Sequence, residues 1–244
     1  MTPARPLAPL PPPAGWALAG TSPEIGTVPG TDQPLIAFEG FLAAPETVIR
    51  AASLQNFAKI TPHYPGLRAP LPAAASAAWL AQLAPQLAAW FGAPAGGWRI
   101  EAWYSLVTTA PEALAPIQRL PHVDGTDPDQ IAMMLYLHRT GHGGTAFFRH
   151  RATGLSVLGA ADYPRYAAAL QREVAAAGLP PPAYPSDGAP HFTRIHAVEG
   201  RFNSAVFYRG NILHSGVIDN AAPLSADPRA GRLTINAFFR PIRG

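Results

Sequence analysis

Ile131-Ala132-Met133-Met134-Leu135-Tyr136-Leu137 is followed, past Gly143-Gly144, by Thr145-Ala146-Phe147-Phe148-Arg149. Each is a short apolar run closed by turn residues, and each reads as a β-strand. The same texture begins at Trp98 and continues through 99–107, 192–198, 203–208, 214–218 and 232–239, with Gly and Pro between the runs. Short strands punctuated in this way belong to an antiparallel sandwich or barrel.

Upstream of these strands the pattern is helical. Residues 34–37 predict one further short strand. Ala44-Pro45-Glu46 opens a helix through about Phe57, with proline early and an acid in the first turn. Tyr64-Pro65-Gly66-Leu67-Arg68-Ala69-Pro70 reads as a turn-rich loop. Over 73–91, Trp79, Leu80, Leu83, Leu87, Trp90 and Phe91 recur at helical spacing, with Pro85 expected as a kink or break. That stripe reads as packing surface, and the two helices as cover for one face of a sheet. A helix over about Tyr163–Ala177 and the Pro-rich loop 179–190 interrupt the strands, as an insertion at a barrel's rim. Residues 1–15 read as a flexible proline-rich arm. The expected organisation is one domain over 16–244, with helical support at about 41–97 and an insertion at about 161–190. Its class is mainly β with flanking helices (α+β).

Composition narrows the function classes. Of 244 residues, 48% are hydrophobic, so a sizeable core is available. The net charge is only +3 and the arginines are scattered, so no nucleic-acid footprint is present. There is no cysteine, which excludes thiolate zinc sites and iron–sulfur clusters. Prolines interrupt the N-terminal apolar residues, so no signal peptide is expected, and no run of about 18 apolar residues predicts a membrane span. The expectation is a cytoplasmic protein acting on a small molecule or peptide, without nucleic-acid or membrane partners. The oligomeric state is not legible.

His122-Val123-Asp124 sits just before the quoted strands, and His214 stands in Asn211-Ile212-Leu213-His214-Ser215-Gly216. On a strand, i and i+2 share a face, so His122 and Asp124 can meet one ion. Two imidazoles and a carboxylate form the facial set of non-haem Fe(II) centres, with positions left open. A lone His-x-Asp is more often a loop histidine bonded to a nearby acid. What adds weight is its order before a β-strand, a Gly-Gly-Thr turn and a late histidine. Arg232-Leu233-Thr234 follows, again with i and i+2 on one face. Guanidinium binds carboxylate in a fork and threonine adds a hydroxyl. Arg240 and Arg243 are rivals nearer the terminus. Tyr104 reads equally as a hydroxyl donor to the same carboxylate or as a core tyrosine. His138 and His142 read as solvated loop residues. His63, His191 and His196 lack acids at useful spacing, and His150 is flanked by two arginines. No Gly-x-Ser-x-Gly elbow, P-loop or dinucleotide fingerprint occurs.

These motifs resemble the Fe(II)/2-oxoglutarate-dependent dioxygenase superfamily, on its prolyl 4-hydroxylase-like side. The likeness runs through Pro121-His122-Val123-Asp124-Gly125, Leu135-Tyr136-Leu137, Gly143-Gly144-Thr145-Ala146-Phe147-Phe148, Leu213-His214-Ser215-Gly216-Val217 and Arg232 to Phe239. More narrowly, the chain is similar to an uncharacterised bacterial family that carries the Tyr64–Pro70 heptapeptide. The resemblance implies a double-stranded β-helix (jelly-roll) core, Fe(II) at His122, Asp124 and His214, and 2-oxoglutarate and O2 as cosubstrates. It implies that Arg232, with Thr234 and Tyr104, holds 2-oxoglutarate, and that the activity is a hydroxylase. Prolyl 4-hydroxylases use a lysine soon after the distal histidine where this chain has a later arginine, so a prolyl substrate is not implied. Two other readings stand beside it: a cupin-like metal enzyme that does not use 2-oxoglutarate, and a non-catalytic jelly-roll binding module.

Overall fold

The computed structural model describes residues 15–139, 141, 143–185 and 189–243. The proline-rich arm falls almost wholly outside the described residues, as does His142. The elements are β1 (Glu24–Thr27), β2 (Pro34–Phe38), α1 (Pro45–Ala52), β3 (Gly66–Pro70), α2 (Ala73–Phe91), β4 (Trp98–Val107) and β5 (Ile131–Tyr136). They continue with β6 (Thr145–His150), α3 (Tyr163–Ala177), β7 (Phe192–Val198), β8 (Ser204–Arg209), β9 (His214–Gly216) and β10 (Leu233–Pro241). The chain is therefore mainly β with helices, as its pattern predicts.

Seven strands form one antiparallel sheet in the order β1-β2-β8-β5-β10-β4-β3, and three form a second in the order β7-β6-β9. An isolated antiparallel bridge between His122 and His214 extends the small sheet beyond β9. From β4 onward the chain alternates between the sheets: β4 large, His122 small, β5 large, β6 and β7 small, β8 large, β9 small, β10 large.

Side-chain parity then builds the layers. Ile131, Met133 and Leu135 of β5, Ala205 and Phe207 of β8, and Leu233, Ile235, Ala237 and Phe239 of β10 pack into one cluster with Trp79, Leu83 and Leu87 of α2 and Val48 and Ile49 of α1. The intervening residues Ala132, Tyr136, Val206 and Tyr208 face the other way and meet Phe147 and Ile212 from the small-sheet side. Outside the small sheet, Ala146 and Phe148 pack with Tyr166 of α3. The order is helices, large sheet, small sheet, helix, and the polar inward residues lie between the sheets. Among the described residues, no helix is long and apolar enough to cross a membrane.

Several boundaries differ from expectation. The first helix stops at Ala52, not near Phe57; Ser53, Leu54 and Gln55 turn back onto the carbonyls of Ile49, Ala51 and Ala52. Leu54 is 84% exposed, so no apolar contact extends the helix. Pro85 does not break α2, because it lies on the exposed side, where water can serve the carbonyl it displaces. Residues 66–70, read as loop, are strand β3. It is the edge strand of the large sheet, paired with β4, with only an isolated bridge to Ala58 on its other side, and its proline sits at the end.

Asn203 joins the layers at the start of β8. Its backbone takes a positive φ of 61°, and its side chain accepts from Leu42 N and donates to Leu42 O, both at 2.9 Å. Asn203→Ala removes both bonds, leaves buried backbone groups unpaired and places a Cβ residue in a conformation asparagine tolerates better. A loss of about 2–4 kcal/mol is expected in denaturant unfolding, with m unchanged.

Candidate metal centre

Three residues distant in sequence converge through the backbone. His122 and His214 exchange two N–H···O bonds, both 2.9 Å, and the Asp124 N–H donates to Gly210 O at 2.7 Å. Residues 122–124 are thus held extended against the β8–β9 connection, which aligns the side chains of His122 and Asp124. The approach at Gly210 is close: a Cβ would lie 2.9 Å from Gln130 Nε2, which would have to move, and 3.4 Å from Asp124 Cβ.

The donor atoms of His122, Asp124 and His214 all lie within 4.8 Å of one another. His214 Nε2 is 3.4 Å from Asp124 Oδ2, and His122 Nε2 is 3.9 Å from Asp124 Oδ1. His214 Nδ1 is bonded to Ile212 O at 2.9 Å. A carbonyl only accepts, so Nδ1 carries the proton and Nε2 of the neutral ring offers a lone pair. Burial lowers the His214 pKa to about 4, which keeps it neutral at pH 7. His122 is lowered to about 4 by burial and then by the His214 ring, whose centroid is 4.5 Å away. Its side chain is 49% exposed, so water moderates that shift. Burial also raises the Asp124 pKa, while His122, Arg68 and Arg240 pull it back. Asp124 Oδ2 is sealed from solvent and makes no hydrogen bond. An imidazole lone pair and a carboxylate oxygen thus face each other across 3.4 Å, an arrangement that a cation between them relieves. The donor set fits a divalent first-row metal with open positions.

The other three predicted residues separate. Arg232 is 2% exposed, just ahead of β10; one of its nitrogens donates to Gly143 O and Gly144 O at 3.2 and 3.1 Å, and its Nε has no partner. Thr234 faces between the sheets and donates to Asn236 Oδ1 at 2.8 Å. Tyr104 does not join them. It pairs with Ile235 and Ala69 and shares their parity, so it faces the helices and packs near Trp16 and Phe57. The core reading of Tyr104 holds, and the pocket reading is corrected by its parity.

Two residues absent from the sequence-based set face the space between the sheets. The register aligns Arg68 of β3 with Ser105 of β4, Thr234 of β10 and Tyr136 of β5. The Arg68 guanidinium lies over the Tyr64 ring at 4.0 Å. Burial raises the Tyr64 pKa, and Arg68, Arg232, Ser105 and Thr234 act against that rise, so its phenol faces all four. Arg68 Nε, Asp124 Oδ2 and Arg232 Nε are buried polar atoms without a partner, and the Tyr64 hydroxyl has only the hydroxyls of Ser105 and Thr234 within reach. Folded proteins rarely leave such groups unpaired; these lie between the sheets, whereas the unpaired Tyr104 hydroxyl lies on the helix side. Reading 64–70 as a loop hid Tyr64 and Arg68; the usable signal was a tyrosine and an arginine set among prolines.

The rival arginines are occupied. Arg240 binds Glu101 and Gln130, and Arg243 binds Asp127 and Asp129. His138 is buried, contrary to its reading as a solvated loop residue. His150 bonds Thr153 and Glu173 at 2.9 and 2.7 Å, and His191 comes within 3.9 Å of the same glutamate, a partner that sequence spacing did not show.

A family model described as a family of unknown function, DUF6445, matches residues 21–239, and the chain belongs to that family. No curated protein matches it.

One equivalent of Co(II) or Fe(II) is expected to bind under anaerobic titration. Asp124→Ala and His214→Ala should each weaken binding by more than about 100-fold, since even outer partners of metal ligands are worth about 10- to 100-fold. Tyr104→Phe should leave it unchanged.

Proposed function

We propose that this member of the DUF6445 family is an Fe(II)- and 2-oxoglutarate-dependent oxygenase, a hydroxylase of a small molecule, amino acid or peptide. The observation that carries the reading is the gathering of buried polar groups between the sheets: three donor residues, with Asp124 Oδ2 unpaired, at one position, and the Arg232 guanidinium, its Nε unpaired, near the Tyr64 hydroxyl at another. The alternating path of the chain between two antiparallel sheets supports a double-stranded β-helix core, with His122, Asp124 and His214 at its mouth.

In this reading His122, Asp124 and His214 hold the iron, and Arg232 takes the far carboxylate of 2-oxoglutarate. Thr234 and Tyr64 supply hydroxyls there, in place of Tyr104. When bound, iron with 2-oxoglutarate and O2 supplies an oxidative decarboxylation to succinate and CO2 that is coupled to oxidation of the organic substrate.

The chain's own part is positioning and exclusion of water. The carbonyls of Gly143 and Gly144 fix one nitrogen of Arg232, so the fork is oriented before an anion arrives. Tyr184, Ile218, Leu114 and Val107 form a small apolar cluster, with Tyr64 and Leu224 packed against it. The Tyr184 hydroxyl donates to Thr109 O at 2.6 Å, and its backbone N–H donates to Asn220 Oδ1. The loops at 179–185 and 219–231 thus meet near Arg232. A drier surrounding strengthens each charge-assisted bond inside. Tyr208, in edge contact with the His214 ring at 4.8 Å, and Phe147 beside it give the metal position apolar walls.

Arg232→Ala should weaken 2-oxoglutarate binding by about 30- to 1,000-fold, the usual cost of a lost charge-assisted fork, while metal affinity stays within about twofold. Anaerobic titration of the metal-loaded protein reads both. The reading fails if the wild type forms no succinate from 2-oxoglutarate in the presence of Fe(II) and O2 with any substrate tried, and binds no 2-oxoglutarate.

A further inference from the structure

Arg68 is a cation that the fold stacks on the Tyr64 ring without giving it an ion pair among the described residues. Its backbone is fixed twice, by β3 pairing with β4 and by a reciprocal bridge to Ala58 at 2.9 Å. Its guanidinium is fixed by the Tyr64 ring. Yet its Nε is sealed from solvent without a hydrogen bond, and the side chain makes no ion pair among the described residues. Desolvation lowers its pKa, and Tyr64 and Asp124 oppose that. A stacked, pre-oriented arginine with a buried open donor is an anion receptor waiting for its ligand.

Its place differs from that of Arg232. Arg68 projects from the edge strand β3, stacked on Tyr64, and its charge bears on Asp124 and His122. Arg232 acts on Tyr64, Tyr136 and Tyr184, away from the metal donors. Two guanidinium groups therefore serve two anion positions, with Tyr64 acting on both. If 2-oxoglutarate places one carboxylate at the metal and the other at Arg232, both of its anionic ends are already served. Arg68 also stands on the open side of the site. His122 is the half-exposed ligand, exposed His63 acts on it, and Gln118 ties the turn before His122 to Pro62 O at 2.9 Å. That is where an organic substrate reaches the metal.

We infer that Arg68 is a specificity-determining residue that binds the carboxylate of the organic substrate, which makes that substrate a small carboxylic acid of the amino-acid type. The inference rests on the oxygenase reading for the word substrate, but the anion site itself does not.

The test uses the full chain and a panel of free and N-acetylated amino acids, each paired with its carboxamide. Binding is followed by ligand-observed NMR, first with the metal-free protein and then with Zn(II) and 2-oxoglutarate bound. At least one acid should bind, with its amide about 10-fold weaker or worse, as loss of a charge-assisted fork requires. Arg68→Gln should remove that preference while 2-oxoglutarate affinity stays within about twofold. Arg68→Lys, which keeps the charge and loses the fork, should fall between. Circular dichroism and the thermal midpoint show that each variant is folded, and if Arg68→Gln is not, the lysine variant alone carries the comparison. The inference is overturned if no acid outbinds its amide in the wild type, or if the variants keep the full preference. It is also overturned if Arg68→Gln loses 2-oxoglutarate affinity, which would give Arg68 to the cosubstrate. A wild type that binds acids through Arg68 without metal, but binds no metal or 2-oxoglutarate, would sink the oxygenase reading and leave the anion site standing.

Discussion

The two backbone hydrogen bonds between His122 and His214 are the contact on which the site depends. They are a single antiparallel bridge, yet they bring together residues from opposite ends of the β region. They also place Asp124 against Gly210, where a Cβ would press on Gln130. The price is a buried carboxylate oxygen with no donor, facing an imidazole whose proton is committed elsewhere. Two acceptors held this close cost stability unless a cation lies between them. The three residues thus form a set that could hold a metal ion.

The same logic extends to the arginines. The chain carries little net charge and few charged residues, but two of its arginines, Arg232 and Arg68, turn toward the space between the sheets with unpaired Nε atoms. Other arginines find acids, as Arg240 with Glu101, Arg243 with Asp127 and Arg201 with Glu199, or carbonyls, as Arg119 with Leu114 and Arg151 with Pro190. Burial without a counter-ion lowers the pKa of both Arg68 and Arg232. That cost is tolerable because the surrounding layers over-determine the positions, with β4 and β10 paired along nine residues from Leu233 to Pro241.

Packing divides the labour between faces of one sheet. Odd-numbered residues of β5 and β10 supply the apolar face against the helices, and even-numbered residues supply the interior between the sheets. Every polar group that bears on the site from β10 and β4, Thr234, Asn236 and the paired Ser105, lies on that inner face. The helices contribute no group to the metal. Their role is to bury the outer face of the large sheet, and that of the small sheet in the case of α3, so that the inner faces stay rigid.

Strand texture, the long helices and the facial set of donors were legible in the sequence, because each rests on a local period or on chemistry that few residue types can perform. Short Gly- and Pro-bounded runs identified β5, β6, β7 and β10 within a residue or two. His-x-Asp with a late histidine named the three residues that the structure brings together. Pairing and parity were decided only by the tertiary structure. Whether Tyr104 faced helix or pocket depended on the register of β4 against β10, and a one-residue difference turns a side chain to the opposite face. Tyr64 and Arg68 were hidden for a related reason. Strand β3 is short and contains Gly66 and Pro70, so it has almost no β signature of its own. It is a strand because the exposed edge of β4 offers it hydrogen bonds, and that edge exists only once the sheet has formed.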